Sequence, residues 1–302
     1  MPKILVTGGA GFIGNNLVSS LVEQGNDVIV FDNGFRNGLG NLEYLKEKIT
    51  IIEGNIILKE DWAKLPNDCD IAYHLAAING TKYFYEIPET VLKVNVQGVL
   101  NFAEWLENTN VKRIFFASSS EVYGFPQKFP TAETEYITIP DPMNSRFSYS
   151  SSKIIGETIT INFARKFGID FSIARFHNVY GPNMGFEHVI PEFIRKCVKK
   201  EPFTVQGDGM DSRCFCYISD AIDGILSITQ SSNVMNEIYN VGTDEETSIN
   251  QLIELLQSIH SDKFSPIYEE FKNSGTKRRV PDITKISKLG YKPKILLQEG
   301  LK

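Results

Sequence analysis

The sequence predicts an α/β protein built on a doubly wound parallel sheet, and three observations carry that expectation. Short apolar segments of strand length recur along the chain, segments with helical periodicity lie between them, and a glycine cluster occupies the first strand-to-helix turn. Strands that alternate with helices need crossover connections, which cover a parallel sheet on both faces. Those crossovers should be right-handed.

In chain order, residues 4–7 read as a first apolar strand, followed by the glycines and a helix over 15–24. Strands are predicted at 27–31, 50–53, 71–75 and 113–117, with a long helix over 91–108. Residues 149–167 read as another long helix and 171–175 as a sixth strand. After Gly181-Pro182 the alternation loosens. Helices are predicted at 189–200, 220–229 and 248–260, with short strands at 203–205 and 238–241. No repeat, low-complexity tract or linker interrupts the chain. We expect a nucleotide-binding domain of 1–175 and 213–243, sharing the chain discontinuously with a smaller α/β substrate-binding region of 176–212 and 244–302.

The composition suits such a domain. Hydrophobic residues make up 42% and charged residues 23% of the 302, ordinary for a soluble globular protein. A net charge of -6 argues against nucleic acid, which needs a basic face. No apolar run reaches the length of a membrane span. The chain runs from Met1 straight into a strand without a signal peptide, so a cytoplasmic location is expected. Cys69, Cys197, Cys214 and Cys216 form no C-x-x-C pair, so zinc and dithiol chemistry lack support and reduced thiols are expected.

The glycine cluster is Gly8-Gly9-Ala10-Gly11-Phe12-Ile13-Gly14. It fits both G-x-x-G-x-x-G, through Gly8, Gly11 and Gly14, and G-x-G-x-x-G, through Gly9, Gly11 and Gly14. Glycine permits a tight turn and close approach of a pyrophosphate, and a helix N-terminus attracts its charge. A strand before, a helix after and Asp32 at the end of the second strand make this a Rossmann-type dinucleotide site. A carboxylate at Asp32 suits the adenosine ribose hydroxyls and repels a 2'-phosphate, so NAD is favoured over NADP. The alternative is a solvated turn aspartate. Nearby Arg36 reads as a surface loop arginine.

Tyr149-Ser150-Ser151-Ser152-Lys153 is Y-x-x-x-K on a helix, which puts the two functional side chains on one face. A lysine charge, with the positive nicotinamide ring, favours the phenolate of a tyrosine that ordinarily titrates near ~10. Tyr149 then becomes a candidate general base.

With these motifs in hand, the chain resembles the extended short-chain dehydrogenase/reductases of the NAD-dependent epimerase/dehydratase family. The likeness rests on TGGAGFIG at 7–14, HLAA at 74–77, SSSEVYG at 118–124, YSSSK at 149–153, RFHNVYGP at 175–182, QGDGMDSRCF at 206–215 and PDITKISKLGYKP at 281–293. It covers nearly the whole chain. The resemblance implies a cofactor groove that includes Asn33, Asn55, Ile56, Leu75, Ala76 and Ala77, with Asn95 bracing the active site. It implies that Ser119 bonds the sugar hydroxyl beside Tyr149, that Tyr149 is the base, and that Lys153 holds the nicotinamide ribose. Ser120 and Val189 would border the sugar, Asn178 the sugar-proximal phosphate, and Arg213 and Arg279 the diphosphate, which suits bidentate arginine. Surface salt bridging is the other reading of both arginines, and Arg278 competes with Arg279. His177 reads as a packing or hydrogen-bonding histidine.

Three positions depart from the family pattern. Asn55 stands where an aspartate usually meets the adenine. The loop 78–85 is richer in aromatics than the common version. The tail stops soon after GYKP, so the last helix should be short or absent.

The family shares oxidation at the sugar 4-hydroxyl. Typical 4,6-dehydratases place Asp-Glu after the Thr/Ser, whereas this chain has Ser119-Ser120-Glu121. The missing aspartate disfavours dehydration. Ser-Glu also occurs in GDP-mannose dehydratases and UDP-glucuronate decarboxylases, and Glu121 could instead merely cap the strand end. The resemblance thus implies a nucleotide-sugar 4-epimerase working on a nucleoside-diphosphate sugar. The alternatives are net 4-oxidation, 4,6-dehydration, decarboxylation, or a non-catalytic NAD-binding module. Relatives dimerise through the Y-x-x-x-K helix and the helix before it. Ile154, Ile155, Thr158, Ile159 and Ile161 accordingly suggest a homodimer.

Overall fold

A computed structural model describes residues 1–302 except 187, 203, 232–234, 261–265 and 271–275. Seven parallel strands form one sheet in the order β11-β6-β5-β4-β1-β2-β3. In chain order these are β1 (Lys3–Thr7), β2 (Asp27–Asp32), β3 (Ile49–Glu53), β4 (Ile71–His74), β5 (Arg113–Ser119), β6 (Asp170–Phe176) and β11 (Glu237–Val241). Between β6 and β11 lie the short β7 (Val179–Tyr180), β8 (Thr204–Gln206), β9 (Ser212–Cys214) and β10 (Cys216–Tyr217). After β11 come β12 (Glu246–Ser248), β13 (Ile267–Glu269) and β14 (Arg278–Arg279). The short strands pair among themselves, as β10-β7, β12-β9-β14 and β13-β8.

The strand residues explain the sheet. Along β1, Ile4 and Val6 join one core while Leu5 joins the other, the two-residue alternation of a strand buried on both faces. The first core takes α1 (Phe12–Glu23) and α7 (Ile218–Gln230), through Leu17, Leu21, Ile222 and Ile225. The second takes α4 (Pro88–Leu106) and α5 (Ser148–Phe167), through Val99, Phe102 and Ala164. The chain winds outward through β2 and β3, then returns to place β4 on the other side of β1. Strand order reverses there, and the crevice beyond the carboxyl ends is where such sheets bind ligands.

A third core gathers Tyr180, Ile190, Phe193, Leu252, Leu256 and Leu297. It joins α6 (Val189–Lys199), α8 (Ile249–His260) and α10 (Leu297–Gly300). The final helix has 4 residues, matching the short tail expected. Phe203, in the predicted strand 203–205, lies outside the described residues; β8 covers its neighbours.

Two expectations change. The first helix begins at Phe12 rather than Asn15, because the glycine turn delivers the chain into it through Gly11. The aromatic loop contains a helix, α3 (Thr81–Glu86), with Gly80 at φ 137 turning the chain into its first turn. The small elements α2 (Lys59–Trp62) and α9 (Thr284–Ser287) complete the set. One close approach positions the chemistry: a Cβ on Gly156 would lie 2.4 Å from the Phe116 ring. That glycine lets α5 lie flat on β5.

Candidate functional site

The carboxyl ends of β1, β2, β4 and β5 open into a cleft of about 730 Å³. At one end is the glycine turn. A Cβ on Gly14 would sit 2.1 Å from the Gly8 carbonyl oxygen, so only glycine allows α1 to start so near β1. The N-terminus of α1 carries no side-chain cap, which leaves its N–H groups for an anion. Asp32 takes the Ala10 N–H on Oδ2 at 3.0 Å and the Gly34 N–H on Oδ1 at 2.8 Å. Burial pushes its carboxyl up, and those backbone donors pull it back. Asn55 Oδ1 accepts the Ile57 N–H at 3.2 Å.

Beside this turn, the Thr7 hydroxyl meets His74 Nδ1 at 2.9 Å and accepts the Ala76 N–H at 3.3 Å. Burial pushes His74 down to about 3, so it is neutral and packs face to face with Phe102 at 4.8 Å. The glycine turn, the uncapped helix and Asp32 fit the pyrophosphate and adenosine ribose of a dinucleotide.

At the other end stand Ser119, where β5 stops, and Tyr149 and Lys153 on successive turns of α5. The Tyr149 ring stacks on Phe84 of α3, centroids 4.8 Å apart and 14° from parallel. Lys153 Nζ donates to the Ala117 carbonyl at 2.7 Å and lies 5.7 Å from the Tyr149 ring centroid. Burial pushes Lys153 down to about 8, opposed by Glu157. Burial, and then the Glu121 charge, push the Tyr149 hydroxyl up, while its hydrogen bond with Ser119 acts the other way. The phenolate that the sequence led us to expect is therefore not favoured by the protein alone, because Lys153 directs its ammonium at a carbonyl.

Behind these groups lies a buried support. Glu157, one turn past Lys153, accepts Arg175 Nε at 2.9 Å, Arg175 Nη2 at 2.8 Å and the Ser118 hydroxyl at 2.5 Å. Asn95 accepts the Ile78 N–H at 2.8 Å and donates to Ser152 at 3.0 Å. Asn95 does not line the cleft; every other residue singled out from the sequence for catalysis, cofactor or substrate does.

The sugar side is built from arginines. Arg279 Nη1 pairs with Glu121 Oε1 at 2.6 Å and Nη2 donates to Thr276 at 3.0 Å. Arg146 Nη2 lies 3.6 Å from the same Glu121 oxygen. Burial alone would raise the Glu121 carboxyl, but Arg279, Arg146 and Arg213 hold it at about 2. Arg213 donates to the Ser212 carbonyl at 2.7 Å and lies 3.7 Å from Asp211. Arg278 turns away onto Glu246, so Arg279 is the arginine of that pair that reaches the cleft. Asn178 has φ 41, and its buried Oδ1 has no hydrogen-bond partner, a vacancy that a ligand donor would satisfy. His177 is buried against Asn240 at 3.2 Å and pushed down to about 3, chiefly by burial, consistent with a packing role.

Arg36 corrects the reading of a surface residue. It lines the cleft and donates to the Asn79 carbonyl at 2.5 Å and the Met184 carbonyl at 3.3 Å. Sequence reasoning also passed over Phe84, Arg146 and Glu157. Arg146 precedes Tyr149 by three positions and Glu157 follows Lys153 by four, so helical spacing could have found both. The contact of Phe84 with Tyr149 is tertiary and left no such signal. The cysteines are buried and free. Burial raises the Cys69 thiol to about 11 and those of Cys214 and Cys216 to about 12, so none is a ready thiolate. Among the described residues no group of three or more His, Cys, Asp or Glu could hold a metal, and no helix is long and apolar enough to cross a membrane.

Comparison with known proteins gives a consistent result. The model of the NAD dependent epimerase/dehydratase family matches residues 4–242. UDP-glucuronic acid decarboxylase 5 of Arabidopsis thaliana is 34% identical over 303 residues, covering 99% of this chain and 87% of that protein. The structure of a UDP-glucose 4-epimerase from Thermotoga maritima with UDP-glucose superposes with a TM-score of 0.89 at 31% identity, covering 99% of this chain and 96% of that one. A UDP-glucuronic acid 4-epimerase from Bacillus cereus, in complex with UDP-glucuronic acid and NAD, gives a TM-score of 0.88 at 27% identity, over 99% and 96% of the two chains.

Proposed function

The chain belongs to the NAD-dependent epimerase/dehydratase family, and we propose that within it the protein is a nucleotide-sugar 4-epimerase. It is an NAD-dependent enzyme. The observation that carries the finer reading is that Ser119, Tyr149 and Lys153 converge while Glu121, the one acid of the Ser-Ser-Glu triplet, is locked on Arg279. A carboxyl held at about 2 is a weak base, and dehydration requires a second base.

Bound NAD supplies a hydride-accepting ring and a positive charge. Ser119 holds the sugar 4-hydroxyl against Tyr149, which takes its proton, and Lys153 holds the nicotinamide ribose and supports the phenolate. Arg213, Arg279 and Asn178 hold the diphosphate while the 4-keto sugar turns over, and Tyr149 returns the proton to the new 4-hydroxyl. The aromatic pair of Phe84 and Tyr149 keeps the phenol facing the sugar through both half-reactions. In this reading residues 176–212 and 244–302 hold the nucleotide sugar, and 1–175 with 213–243 hold NAD. The protein acts as a cytoplasmic homodimer through α4 and α5, whose Leu92 and Ile155 are exposed apolar residues. A monomer in light scattering at micromolar concentration would overturn the dimer.

A second reading has its own support. Three arginines surround Glu121, more cation than a diphosphate alone demands, and relatives include UDP-glucuronic acid decarboxylases. A uronate substrate losing carbon dioxide after 4-oxidation would use that surplus charge. Incubation with UDP-, GDP-, dTDP- and CDP-sugars, uronates included, separates the readings by product mass. Unchanged mass supports epimerisation. Loss of carbon dioxide or of water overturns it.

A further inference from the structure

The loop that follows β2 reaches across the mouth of the cleft. Its three tip residues each touch a segment from another part of the fold. Phe35 packs on Tyr83 of α3, centroids 6.0 Å apart. Arg36 donates to the Asn79 carbonyl, between β4 and α3, and to the Met184 carbonyl, between β7 and α6. Arg36 Nη2 also lies 3.2 Å from His188 Nε2, and Asn37 Nδ2 donates to the Asn183 carbonyl at 3.4 Å. The loop is held in shape from below. Asp32 Oδ1 accepts the Gly34 N–H, and the Gly38 N–H closes onto the Gly34 carbonyl at 3.0 Å.

We propose that this tip, residues 35–37, is a strap that encloses NAD, and that Arg36 is the positioning residue that latches it. The base of the strap is Asp32, whose other oxygen braces the glycine turn through Ala10. Anything seated between Asp32 and Tyr149 passes beneath the Arg36 contacts, because Asp32, Arg36, Asn79, Met184 and Tyr149 all line the one cleft. Leaving that seat requires the guanidinium to release two carbonyls that belong to opposite walls. Charged donors to carbonyls are the stronger class of hydrogen bond, at ~1.5–3 kcal/mol each. A latch of this kind slows departure of the cofactor without touching the reacting atoms. Tight retention suits a reaction in which the cofactor is regenerated in place. The inference rests on NAD as cofactor and not on which sugar reacts.

The test follows NADH loaded into the apoprotein and displaced by excess unlabelled NAD, read by loss of NADH fluorescence. Arg36→Met is expected to speed release by about tenfold or more, and Arg36→Lys, which keeps one charged donor, by less. Thermal unfolding of the apoprotein should move little in either variant. Release rates within about twofold of wild type in Arg36→Met would overturn the proposal. So would apoprotein unfolding that falls in step with faster release, since that would make Arg36 a general structural prop. Because no sugar enters the measurement, failure here leaves the epimerase reading standing, and failure of that reading leaves this one standing.

Discussion

The two ends of the cleft are built on different principles. The cofactor end uses backbone: a glycine turn, an uncapped helix and a carboxylate whose partners are the Ala10 and Gly34 N–H groups. Its parts lie within the first units of the chain. The sugar end uses charged side chains drawn together by the fold, with Glu121 meeting Arg279 across 158 positions. The first arrangement is rigid and generic to one cofactor. The second is a set of coupled charges that selects what happens after the first oxidation. The difference implies that variants at the reacting end should leave the cofactor end intact, and the reverse.

The strongest test of that independence is Tyr149→Phe. It removes one hydroxyl and leaves the ring stacked on Phe84. Loss of a general base costs ~100- to 10,000-fold. The loss should fall on kcat far more than on substrate affinity, because the missing interaction strengthens in the transition state. NADH binding, measured by fluorescence, should be unchanged. Near-normal turnover in this variant would sink the mechanism in every branch.

Lys153 is where the two ends meet, and the fold is expected to be strained there. Burial holds it at about 8 against an ordinary 10.5. Between those values the native state binds fewer protons than the unfolded chain, so wild-type stability rises with pH through that window. The penalty is present in full below about 8 and gone above about 10.5. Lys153→Met should therefore stabilise the apoprotein by at most about 3 kcal/mol at neutral pH, at ~1.4 kcal/mol per pH unit. That gain should shrink toward pH 10, while cofactor retention is lost. Urea midpoints at pH 7 and pH 10 check the sign, and equal gains at both would contradict it.

The same contrast explains what the sequence revealed. The sheet was readable because apolar runs such as Ile4-Leu5-Val6 must face two cores at once. The glycine turn and Y-x-x-x-K were readable because each function sits within one turn or one helix. Glu121 was recognised as a residue but not as half of an ion pair, since nothing local links it to Arg279. Arg36 was misread for the same reason: its partners, Asn79 and Met184, are 43 and 148 positions away. The helix α3 was missed because Gly80 starts it and only 6 residues follow, too few for periodicity to register.

At the cofactor end, Asp32→Ala offers a smaller but sharper break. It removes the acceptor for Ala10 and Gly34 as well as the carboxylate facing the ribose. NAD should bind about tenfold or more weakly, and preference over NADP should narrow, because the repulsion of a 2'-phosphate disappears. Titration of both cofactors decides this. Equal binding of NAD and NADP by the wild type would show that Asp32 does not discriminate.

The smallest expected effect is the most diagnostic of reaction type. Glu121→Gln keeps the shape and an oxygen that can accept from Arg279, but removes the charge. Arg279 is 7% exposed, and Arg146 and Arg213 stand near, so stability should fall by about 1–3 kcal/mol, the cost of weakening a charged hydrogen bond. If the enzyme only moves a proton and a hydride at carbon 4, Glu121 does no chemistry, and kcat should stay within about tenfold of wild type. The released arginine may be read directly as tighter binding of the nucleotide diphosphate. If the enzyme dehydrates or decarboxylates through Glu121, product formation should collapse while the first oxidation persists as NADH absorbance. Turnover and absorbance, followed in the same cuvette, thus distinguish an acid that tunes its neighbours from one that handles substrate protons. The pairing with Arg279 predicts the former: a carboxylate held at about 2 gains nothing by taking a proton near neutral pH, and its position between three guanidinium groups is repaid in electrostatics rather than in proton transfer.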